Sequence, residues 1–128
     1  MIWIGIAAAT VAAFIFSSLY YVLLTPLERR AAGERAVERG RPGPLRVAAE
    51  LVRTVVLAAG FAWLADRTGM LDLPGSLLLA AVLWLAFPAV LLTGSVSWDR
   101  VPVATALLHG GDWLLKMLLI ATIISLLH

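Results

Sequence analysis

The sequence predicts an all-α, polytopic membrane protein, four transmembrane helices in one antiparallel bundle. Three observations carry that expectation. Of the 128 residues, 62% are hydrophobic and 14% charged, with a mean hydropathy of +0.96; a water-soluble core of this size cannot hide that much apolar surface. The apolar residues gather in four windows, each long enough at about 1.5 Å per residue to cross a hydrocarbon layer of roughly 30 Å. All cations but Lys116 are arginines, and six of them lie from Arg29 to Arg46, a clustering that sets membrane orientation. The same composition disfavours a disordered chain and a nucleic-acid module. With no cysteine there is no disulfide scaffold, no thiol redox chemistry and no cysteine-ligated metal.

The first span, 2–25, carries no charge. It lacks the positive flank of a signal peptide and its apolar run is too long for one, so it reads as a permanent helix. The next segment, 26–44, holds Arg29, Arg30, Arg35, Arg39 and Arg41 against Glu28, Glu34 and Glu38. Pairs such as Arg30/Glu34 and Arg35/Glu38 suit a solvated helical extension of span one that stops at Gly40 to Pro44. Short Arg-rich loops stay in the cytoplasm, which places both termini outside. Trp3 at one end of span one, and Tyr20 and Tyr21 near the other, suit the interfacial belts where amphipathic rings settle.

Span two, 45–65, is apolar except for Arg46, Glu50 and Arg53, and Gly60, Ala62 and Ala65 read as helix-contact residues. Span three, 75–93, is uncharged; Pro88 lacks an N–H for the Trp84 carbonyl and is expected to kink it. Span four, 103–127, contains His109, Asp112 and Lys116 on one stripe with Thr105, and Trp113 borders that stripe. Gly110 and Gly111 permit close approach of another helix. Residues 1–128 thus read as one four-helix domain.

Ionisable groups inside a bilayer are costly unless paired or hydrated, so Glu50, Arg53, His109, Asp112 and Lys116 are either an interhelical clamp whose members satisfy one another or the candidate binding or proton-relay residues. Counted from the cytoplasmic surface, Glu50 lies about 7 Å deep, His109 about 9 Å, Arg53 about 12 Å, Asp112 about 13 Å and Lys116 about 20 Å. Their signs alternate along Glu50, Arg53, Asp112 and Lys116, and the shared depth predicts a direct or one-water contact between Arg53 and Asp112, with spans two and four as neighbours. Two histidines, one of them His128, are too few for a metal site of ordinary ligand count. No catalytic motif and no cofactor-binding signature is present.

Three segments carry a family resemblance: the opening MIWIGIAAATVAAFIFSSLYY with its continuation LYYVLLTP, the polar loop WDRVP, and the embedded polar turn ALLHGGDWLL. On these the chain resembles the DUF1761 family of small bacterial membrane proteins. The resemblance implies four spans and a membrane location, and supplies no activity. The Arg-rich first loop and the deep Arg53 depart from the family's usual pattern. Other four-span classes fit less well: span one lacks the embedded acid of small multidrug exporters, the Gly-rich, Arg-containing motif of small fluoride channels is missing, and quinone-linked thiol oxidoreductases need cysteines. Two functions are therefore carried forward. One is an oligomeric transporter or channel-like binding protein, a homodimer or larger, built around the charge cluster. The other is a structural accessory subunit of a larger membrane complex, with Trp84 as an anchor towards a membrane-protein partner. Besides the lipid bilayer, such copies or subunits are the expected partners; nucleic acid is not.

Overall fold

The computed structural model describes residues 2–33 and 43–128, in which five helices and no strand occur: α1 (Ile2–Ala32), α2 (Pro44–Arg67), α3 (Leu73–Ala86), α4 (Pro88–Trp98) and α5 (Val103–Leu127). Together α3 and α4 make one span of 26 residues, Leu73–Trp98, so four segments are long and apolar enough to cross a membrane. Span one is longer than its uncharged core, running past Pro26 to Ala32 with Arg29 and Arg30 in its last turn, where cations suit the helix dipole. The helical extension expected after it is present that far. The remainder, including Arg35, Arg39, Arg41, the Arg30/Glu34 and Arg35/Glu38 pairings and the stop at Gly40, lies outside the described residues.

Each boundary has a local cause. Pro44 opens α2, where a missing N–H costs nothing. Gly69, at φ +69°, closes α2 with Met70 N–H donating to the Ala65 carbonyl over 2.8 Å. Asp72 caps α3 through Oδ2, which accepts from Gly75 N–H at 2.8 Å. The expected interruption at Pro88 is local: Phe87, at φ −119°, separates α3 from α4, which starts at the proline, while Phe87 N–H still donates to the Leu83 carbonyl and its own carbonyl accepts from Leu91 N–H.

The first and last spans form the main pair. Gly5, Ala9, Ala13, Ser17 and Tyr21 recur every four residues along α1 and lay a mostly small-residue face against α5. A Cβ on Gly5 would stand 3.6 Å from the Ile124 Cα, so the backbones approach closely. The helices run antiparallel: Gly5 lies beside Ile124, Ser17 beside Asp112 and Tyr21 beside His109. On its other sides α5 packs on α3 and α4, while α2 leans on α1 through Thr54, Ala58, Phe61, Ala62 and Ala65 and meets α5 only slightly. Spans two and four are therefore weak neighbours, contrary to the sequence-based expectation. Depth places residues at one level without saying which helices share a wall. Ala62 and Ala65 are fully buried contact residues as expected, but Gly60 is exposed with nothing within 4 Å of its would-be Cβ.

Aliphatic side chains such as Val22, Val56 and Leu91 cover the outside, as lipid contact requires. Trp3 near the start of α1 and Trp63 near the end of α2 are exposed on one side of the bundle, and Trp98 on the other. The Arg67 guanidinium lies 5.4 Å from the Trp63 ring.

Candidate functional site

Hydroxyls in an apolar span satisfy themselves on the carbonyl four residues back, and Thr10, Ser18, Thr54, Thr93 and Thr122 all do so. Ser17 departs from that pattern. Its Oγ crosses to α5 and donates to Asp112 Oδ1 at 2.7 Å. Three further side chains converge on the same turn: Tyr20 Oη donates to the Leu108 carbonyl at 2.6 Å, Tyr21 Oη reaches His109 and Asp112, and Trp84 Nε1 donates from α3 to the Gly110 carbonyl at 3.0 Å. The LYY and HGGD segments are thus opposite faces of one contact.

Glycine makes this contact possible. A Cβ on Gly111 would collide with Tyr20 Oη, whereas one on Gly110 would make ordinary contacts, with the flexible Leu92 Cδ1 at 3.4 Å and the Trp84 ring at 4.0 Å. Close approach, the packing role expected of both glycines, is therefore strict at Gly111 and milder at Gly110. Trp84 turns inward, contrary to an outward anchoring role, because its N–H has no acceptor among lipid tails and finds one in a carbonyl left accessible by glycine. Tyr20 and Tyr21, half-buried, turn their hydroxyls onto α5.

Asp112 is 2% exposed. Beyond the Ser17 bond, its Oδ2 accepts from Tyr21 Oη at 3.3 Å and lies 3.3 Å from Lys116 Nζ. The Lys116 ammonium also stands 5.3 Å from the Trp113 ring centroid, a cation–π contact sheltered from lipid. Tyr21 Oη lies 2.7 Å from His109 Nδ1. A phenol has one proton to give, so both of its contacts are filled when the imidazole donates from Nδ1 to Tyr21 and Tyr21 donates to Asp112. With that tautomer the three groups form a chain directed from His109 through Tyr21 to Asp112.

The direct contact expected between Arg53 and Asp112 is not formed. Arg53 pairs with Glu50 one turn back on α2, and Asp112 with Lys116 one turn on along α5. Spacings of three and four along one helix bring partners together at less cost than bridging two helices that scarcely touch. The alternating chain resolves into an outer pair, with the Arg53 side chain 66% exposed, and an inner pair that is buried.

All five candidates nevertheless line one cavity of about 330 Å³, walled by α1, α2 and α5, with Ser17, Tyr21 and Trp113 among the other linings. Ser17 and Tyr21 were missed as site residues. Their position four apart on the small-residue stripe of α1 was the available signal. Thr105, on the polar stripe of α5, holds the one buried side-chain polar atom without a hydrogen-bond partner among the described residues. No cluster of three potential metal ligands occurs among those residues.

No curated protein and no solved structure matches the chain. The family model described as a protein of unknown function, DUF1761, matches residues 4–125, a stretch that takes in both the tyrosine pair and the polar turn it grips, and the chain belongs to that family.

Proposed function

We propose that this protein is a binding protein of the transport class in a bacterial inner membrane, working as a homodimer or larger oligomer, with its ligand held in the cavity between α1, α2 and α5. One observation carries the reading: five ionisable side chains from two spans surround a single cavity, and the buried acid among them is wired through Tyr21 to a histidine. A buried pair serving only as a clamp needs neither the space nor the relay. In the relay, an imidazolium at His109 passes its Nδ1 proton to Tyr21 as Tyr21 passes its own to Asp112, so that an ion pair becomes a neutral pair and the phenol is unchanged. The neutral acid releases Lys116, and the cavity alternates between two charge patterns, the requirement for coupling ligand binding to a proton. No catalytic role is proposed.

The test is a thermal-shift survey of the detergent-solubilised protein with small polar solutes, zwitterions and amphiphiles over pH 5 to 8. A ligand-dependent rise is expected that Asp112→Asn abolishes, and Tyr21→Phe should retain the rise while losing its pH dependence. A rise unchanged in Asp112→Asn, or no rise with any compound, overturns the proposal. The accessory-subunit alternative stands second, because Trp84, its anchor, is engaged inside the bundle.

The proposed orientation puts the arginine-rich loop in the cytoplasm and both ends outside. An alkaline phosphatase fusion following His128 is then expected to be active, and a reporter that needs the cytoplasm dark. The reverse pattern would turn the cavity's nearer surface outward.

A further inference from the structure

The cavity does not end at the ion pairs. Beside it lie two further grooves, one of about 350 Å³ between α2 and α5 and one of about 400 Å³ where α3 and α4 face Leu57 of α2 and Met117 of α5, and Trp113 borders all three spaces. The nearer chamber shares Glu50, Arg53 and Lys116 with the polar cavity. The farther one is bounded by Leu57, Leu83, Pro88 and Met117, and no ionisable side chain lines it. The helix break at Phe87 and Pro88 forms part of its wall. Polarity therefore falls across three adjacent spaces that share Trp113, from two ion pairs to an aliphatic end.

That gradient selects among ligand classes. A small polar solute gains nothing from the aliphatic end, and a plain hydrocarbon nothing from the charges. Resting on the binding role proposed above, we propose that the ligand is a single-chain zwitterionic amphiphile of the lysophospholipid kind, with its head among the two ion pairs and its acyl chain over Trp113 towards Pro88. Two cations and two carboxylates face the polar cavity, so a head carrying both signs finds a partner for each, while a head of one sign leaves like charges confronting it. Val52 and Val56 stand exposed at the side of the nearer chamber, where a chain enters from the bilayer without crossing water.

The experiment titrates the protein, reconstituted in unbrominated phosphatidylcholine vesicles, with lysophosphatidylcholine brominated at mid-chain, and reads tryptophan fluorescence, which bromine quenches on contact. Saturable quenching is expected. Trp113→Phe should remove the saturable part, and Leu57→Phe, which fills the aliphatic end and keeps all five tryptophans, should shift the midpoint by at least about tenfold. Quenching that never saturates, or that is the same in both variants as in the parent, overturns the proposal, and so does saturation by a brominated fatty acid but not by the zwitterion. Glycerophosphocholine, the same head without a chain, separates the two failures. If it raises the melting temperature in an Asp112-dependent way while the brominated lipid does not saturate, the binding role stands and the amphiphile falls; if neither responds, both fall.

Discussion

Asp112→Leu is expected to abolish most of the folded yield, a loss of about 3 to 5 kcal/mol, because it leaves the buried Lys116 ammonium without its counter-charge. Ser17 and Tyr21 lose their acceptor at the same time. Lys116→Leu should be comparably damaging for the mirror-image reason, and the double variant should recover much of the loss, since two uncharged side chains leave nothing uncompensated. Arg53→Leu should cost far less, its partner Glu50 being half exposed at the cavity mouth. Size-exclusion profiles and melting temperatures of the four variants in mild detergent decide the matter. Equal damage from Arg53→Leu and Lys116→Leu would mean that the inner pair has been assigned to the wrong helices.

Gly111→Ala is the second large effect expected, a destabilisation of about 1 to 3 kcal/mol from one added methyl group. The methyl would meet Tyr20 Oη, which the Leu108 carbonyl holds in place at the end of a rigid ring. Tyr20→Phe in the same chain removes the colliding atom and should restore much of the melting temperature. Gly110→Ala should be milder, since a leucine methyl can give way. At Gly60, where nothing lies within 4 Å, alanine should be neutral or stabilise by up to about 1 kcal/mol through helix propensity. A loss at Gly60 as large as that at Gly111 would count against the packing described for α1 and α5.

How far such effects are legible beforehand differs from residue to residue. The four spans follow from apolar length, and the break at Pro88 from ring chemistry, both of which act locally. His109, Asp112 and Lys116 share a face of one helix whatever surrounds it, so their stripe was readable. Neighbourhood was not. Arg53 and Asp112 lie at similar depth in any arrangement of the bundle, and depth alone cannot distinguish adjacent helices from helices held apart by a third. The recurrence of Gly5, Ala9, Ala13 and Ser17 does identify a contact face, and continuing it reaches Tyr21, whose ring also suits a membrane boundary. An aromatic residue near a helix end fits either use by composition. Only the HGGD turn opposite decides which one applies.

The pairing of α1 with α5 also orders the life of the chain in time. Because α1 precedes its principal partner α5 by three helices, Ser17, Tyr20 and Tyr21 are made long before their acceptors on that helix. Locking of the bundle is then necessarily post-insertional. In a chain that halts before Leu108, the Ser17 hydroxyl has its own helix's carbonyls to turn to, as Ser18 does, whereas the two phenols lack the interhelical acceptors that α5 supplies.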